Sequence, residues 1–217
     1  MFDFSNPTAL LLRLAYILPA ILIAITIHEF SHAAAAYALG DRTAKSMGRL
    51  SLNPMVHLDP MGTIMIVFTA IAGVGIGWGK PVPVNPYNLR YGGRTGMALV
   101  SAAGPASNLL TAFVIALPLR ANPFAYDVEP FAGFALALLG ISIGLAAFNL
   151  LPLPPLDGFA VALGILPRPL AQSFGQLAQY GPGVLLLILF ADWTLHLGIL
   201  STLMRPLFLV AQILVFG

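Results

Sequence analysis

Six stretches of this chain are apolar enough that lipid, rather than water, is the solvent they suit: about residues 8–39, 61–77, 96–119, 131–153, 180–197 and 199–216. Each comes near the roughly 20 residues a helix needs to cross a bilayer's hydrocarbon. No stretch outside them is long enough for a separate soluble domain. Only 8% of residues are charged, against roughly 25% in soluble domains. Lipid offers backbone N–H and C=O groups no partners, so the expected fold class is an all-α polytopic membrane protein. We expect about five to six transmembrane or re-entrant helices, with short β-like loop segments near the cytoplasmic side. They form a single integral-membrane domain over 1–217, with a core at about 8–165 and C-terminal helices at about 180–216.

Ten Lys and Arg are scattered through the loops without a basic stripe or interleaved aromatics, which argues against a nucleic-acid partner. They serve orientation instead. Arg42, Lys45 and Arg49 follow the first apolar run, and Lys80, Arg90 and Arg94 precede the third, so both loops are expected on the cytoplasmic side. The segment 61–77 between them then cannot be a simple span. It reads as re-entrant or a kinked hairpin, helped by Gly73, Gly75 and Gly77. Asp127 and Glu129 suit the outer face, and Arg168 returns the chain inside. A cleavable signal peptide is discounted, because the N-terminus carries Asp3 in place of a basic cluster and the apolar run is too long.

Inside the first run lies His28-Glu29-Phe30-Ser31-His32. On a helix, residues four apart share a face, so both imidazoles can grip one zinc ion while Glu29 beside them activates a water for hydrolysis. Ionisable side chains at membrane depth are costly, and a metal centre would offset that cost. The chain has no Cys, so zinc would need His and carboxylate ligands. The soluble zincin pattern with a third His fails, since positions 35 and 38 are both Ala.

A third ligand must reach the same depth. Asp127, Glu129 and Asp192 are expected on the outer side, and Asp3 is at the wrong end of the first helix. Asp157 survives, in Asn149-Leu-Leu-Pro-Leu-Pro-Pro-Leu-Asp157-Gly158, where three prolines in four residues force extended or turned backbone as the inward helix ends. An ordinary cytoplasmic Asp-Gly turn is the alternative for this segment by itself. His57 and Asp59 read as a polar loop pair, and His196 and Asp192 near Trp193 as an outer interfacial belt.

Three separated segments, His28 to His32, Gly104-Pro105-Ala106-Ser107-Asn108 and Asn149 to Gly158, together resemble the site-2 proteases, intramembrane zinc metalloproteases. The likeness is to the short bacterial branch without a PDZ domain. It extends to Asn53-Pro54 through Asp59-Pro60 and to Gly79-Lys80-Pro81-Val82-Pro83-Val84-Asn85-Pro86, covering about residues 20–165. The resemblance implies one zinc ion per chain on His28, His32 and Asp157, with Glu29 as general base and then acid. It also implies that Asn108 and Asn149 orient substrate backbone or stabilise the oxyanion, although buried asparagines also simply tie helices together. The implied partner is a membrane protein or peptide substrate within a bacterial plasma membrane, with the site toward the cytoplasm. Arg49–Asn53 and 81–86 are expected to offer strand-like backbone to an unwound substrate. The rival reading is an intramembrane metal-ion transporter, which would spread polar groups along a route and often show internal repeats.

Overall fold

A computed structural model describes residues 7–72, 77–121 and 130–216. The chain is helical in the order α1 (Pro7–Ala38), α2 (Thr43–Ser46), α3 (Pro60–Ala72), α4 (Gly92–Ala121), α5 (Phe131–Asn149), α6 (Asp157–Ile165), α7 (Arg168–Gly175), α8 (Gly181–Leu195) and α9 (Ile199–Phe216). Among the described residues, four segments, Leu10–Ala38, Gly92–Ala121, Phe131–Asn149 and Arg168–Leu195, are long and apolar enough to cross a membrane. Asp3, Gly73, Gly75, Asp127 and Glu129 lie outside the described residues.

The long helices α1, α4 and α5 pack on one another through alanines. Ala20 and Ala24 of α1 meet Leu138 of α5, and Ala112 and Ala116 of α4 meet Leu139 and Ile143. In lipid there is little hydrophobic gain from burying one apolar helix against another, so small side chains that let backbones approach closely take over that role. In α1 the Thr26 and Ser31 hydroxyls are satisfied within the helix, Thr26 donating to the Leu22 carbonyl and Ser31 to that of Ile27, whereas those of Thr69 in α3 and Ser142 in α5 are buried without a partner. Helix α6 lies on α4. Arg94 at the start of α4 reaches the C-terminal end of α6, donating to the Gly164 and Leu166 carbonyls that have no partner within the helix.

Helix α3 has 13 residues, about 20 Å at 1.5 Å per residue, well short of a bilayer core of about 30 Å. Asp59 starts it as an N-cap, accepting from the Gly62 N–H at 2.8 Å, with Pro60 in the first helical position. The chain then comes back to where it left: Gly79 forms an antiparallel bridge with Leu58, and the Lys80 N–H donates to the His57 carbonyl at 2.7 Å. The described part of the segment expected to be re-entrant or a kinked hairpin is thus a half-length helix and a return arm that meet at Leu58 and Gly79, and the residues between them, 73–76, lie outside the described residues.

The strand-like reading of Arg49–Asn53 is corrected. Residues 50–52 are bends, and among the described residues Leu58–Gly79 is an isolated bridge outside any strand. Local side chains have claimed this backbone: His57 Nε2 donates to the Ser51 carbonyl, Ser51 Oγ accepts from the Asn53 N–H, and Asn53 Oδ1 caps the turn at Pro54–Val56. His57 and Asp59 thus shape this loop, as expected. At the far end, Asp192 accepts from the Ile199 N–H, and His196, at φ 51°, closes α8 in the left-handed conformation.

Asp41, fully buried, ties the end of α1 to the segment before α4. It accepts from the Thr43 N–H and hydroxyl, the Asn85 N–H at 2.8 Å and the Asn88 amide at 2.9 Å. Burial acts to raise its pKa, but these donors outweigh it and hold the carboxyl below its ordinary value. Asp41→Ala leaves these donors unpaired, a cost on the order of 3 kcal/mol. A lower melting temperature and faster amide exchange at 85–90 are expected. A depressed carboxyl pKa stabilises fully above the unfolded value of about 3.9, and the contribution is lost as pH falls through the folded value. Stability at neutral pH is therefore unaffected by this titration.

Candidate active site

Helical periodicity places His28 and His32 one turn apart on α1, both buried against α4. Their rings meet edge to face with centroids 4.6 Å apart. The chain then supplies Asp157 from the first position of α6, where the backbone after Pro152, Pro154 and Pro155 stops turning and becomes helical again. The residue after it sits so close to the preceding turn that only glycine fits: a Cβ on Gly158 would lie 2.2 Å from the Leu150 oxygen.

The three side chains converge. Asp157 Oδ2 lies 3.1 Å from His28 Nε2 and 3.2 Å from His32 Nε2, and all three ligating atoms fall within 4.8 Å of one another. A tetrahedral zinc with ligands at about 2.0 Å has ligand-to-ligand edges of about 3.3 Å, so this spacing and this nitrogen and carboxylate donor set fit the ion. His32 is also set for it. Its Nδ1 lies 2.8 Å from the Val100 carbonyl, which can only accept, so the ring proton sits on Nδ1 and the Nε2 lone pair faces the other ligands.

Three carboxylates or imidazoles meeting in apolar surroundings point to a metalloenzyme, and the comparison with known proteins agrees. The relatives found carry the name putative zinc metalloprotease. One is YwhC of Bacillus subtilis, 40% identical over 182 residues, covering 81% of this chain and 80% of its own. The chain belongs to the site-2 protease family of zinc metalloproteases. Another relative, Rip2 of Mycobacterium tuberculosis, is 34% identical over 177 residues, and this chain spans 66% of its length. Rip2 of Mycolicibacterium smegmatis is 30% identical over 162 residues, with 61% of its length spanned. No family model and no solved structure matches the chain.

In this member of the family the neighbours of the three candidate ligands are as informative as the residues themselves. Glu29 is half-buried beside them and does not belong to the ligating group. The return arm runs past it: a Cβ on Gly79 would lie 3.3 Å from Glu29 Oε1, and the Val82 N–H is directed to its carboxylate. Asn108, fully buried on α4, touches His28, its Nδ2 lying 3.3 Å from Nδ1. Asn149 donates to the Leu145 carbonyl at 2.9 Å at the end of α5. Gly104 received no role from the sequence, yet a Cβ there would lie 2.5 Å from His32 Nε2 and 2.7 Å from His28 Cε1. A glycine beside a helix proline is the signal that was there to be read. The Val100 and Val82 contacts are made by backbone atoms and leave no such trace.

Proposed function

We propose that this site-2 protease is an intramembrane endopeptidase with one zinc ion per chain, held by His28, His32 and Asp157. It hydrolyses peptide bonds in transmembrane or membrane-adjacent segments of other proteins, as in regulated intramembrane proteolysis. The observation that supports this most directly is the meeting of two imidazole nitrogens and a carboxylate oxygen at 3.1 and 3.2 Å beside Glu29, among helices apolar enough for lipid.

Zinc held by these residues would supply Lewis acidity, the means to polarise a carbonyl and to lower the pKa of a water toward about 7. The chain's own residues do the rest. Glu29 takes the proton from the attacking water and delivers it to the leaving amine, so one carboxylate serves as base and then acid. Asn149, half-buried where α5 ends, orients substrate backbone or stabilises the oxyanion. A substrate helix has its carbonyls already bonded and must unwind. The extended arm at 81–85 passes Glu29 and offers backbone against which an unwound segment can lie. The charges of Arg42, Lys45, Arg49, Lys80, Arg90 and Arg94 support a plasma-membrane orientation with this mouth on the cytoplasmic side.

The test is purified protein with a tagged single-span substrate. Cleavage should stop when a zinc chelator strips the metal and return on adding one equivalent of zinc. Metal transport in sealed vesicles without any cleavage would establish the transporter reading instead.

A further inference from the structure

A histidine that ligates through Nε2 must carry its ring proton on Nδ1, and that proton needs an acceptor. For His32 the acceptor is the Val100 carbonyl. For His28 the neighbour of Nδ1 is the Asn108 carboxamide, which both donates and accepts. In this structure the amide Nδ2 faces the ring at 3.3 Å, so Nδ1 is accepting and the proton is on Nε2, directed at Asp157 Oδ2 at 3.1 Å. That arrangement suits a site in which the carboxylate itself stands against the imidazole. It leaves Asn108 Oδ1 buried with no hydrogen-bond partner. Half a turn of the carboxamide exchanges Nδ2 for Oδ1, moves the ring proton to Nδ1 and frees the Nε2 lone pair.

We propose that Asn108 is the positioning residue for His28: its side-chain oxygen accepts the Nδ1–H and so aims Nε2 at the ion. This assigns Asn108 to the metal centre and not to the oxyanion, and its complete burial agrees, since a group that meets substrate must be reachable. The inference rests on the reading of His28 as a zinc ligand.

Two variants of the full chain test it. Aspartate at this position can still accept from Nδ1, whereas leucine of similar size cannot. The zinc dissociation constant, measured by competition with a chromophoric chelator, should weaken about 10- to 100-fold in Asn108→Leu. It should stay near the wild-type value in Asn108→Asp, whose carboxylate can still accept from Nδ1. Cobalt-loaded Asn108→Asp should also keep the wild-type absorption spectrum, a readout independent of turnover. Wild-type zinc affinity in Asn108→Leu overturns the proposal. If that variant fails to fold, Asn108→Asp decides by itself: zinc affinity about 10-fold or more below wild type in a variant that keeps the acceptor would overturn the proposal. Failure of the wild type to bind zinc would instead sink the underlying zinc reading, so the two failures are distinguishable.

Discussion

Glu29→Gln should give a protein that keeps its zinc and loses its proteolysis. Glutamine preserves the shape of the side chain and removes the basic oxygen, and general acid–base groups typically supply about 10²- to 10⁴-fold in rate. Because Glu29 lies beside the ligating group and outside it, zinc per chain should stay at the wild-type level while cleavage of a single-span substrate falls by at least that range. Turnover within tenfold of wild type would remove Glu29 from the chemistry. Simultaneous loss of zinc would make it a ligand.

Gly104→Ala is the second large effect, and it comes from a residue that carries no functional group. Its methyl would have to occupy space 2.5 Å from His32 Nε2 and Cε1 and 2.7 Å from His28 Cε1. Both sides of the clash are held, one by the α4 backbone and the other by rings fixed through Val100 and Asn108. Relief requires α1 and α4 to part by about an ångström, and displacements of that size cost on the order of 10²-fold at a reactive centre. Zinc binding and cleavage should therefore both fall at least 100-fold. Gly140→Ala on α5 is the control, since a Cβ there meets nothing within 4 Å. It should leave both intact. Equal behaviour of the two glycines would mean that α1 and α4 have more freedom than their packing shows.

Much of the site is legible because its logic is local or eliminative. His28 and His32 are related by helix pitch alone, and Asp157 stands out because few carboxylates exist and a proline run locates the break in the helix. The helix boundaries follow similarly from apolar length. Long-range registration is another matter. Asn108 lies 80 residues from His28, and its contact with Nδ1 depends on how α4 rotates against α1. The segment 49–53 looks like a strand by composition, but His57 Nε2 takes the Ser51 carbonyl and Ser51 Oγ takes the Asn53 N–H, backbone groups that an edge would need. Buried Asp41 and its donors at Asn85 and Asn88 depend on a loop fold that no periodicity announces.

The third side chain of the cluster enters 129 residues after the first. With zinc held as proposed, a nascent polypeptide that has exposed α1 but not yet α6 would carry only two of the three ligands. Hydrolysis would then have to wait until synthesis passes residue 157. A chain truncated upstream of that aspartate should then bind zinc weakly and cut no substrate, which its zinc content and a cleavage assay would check.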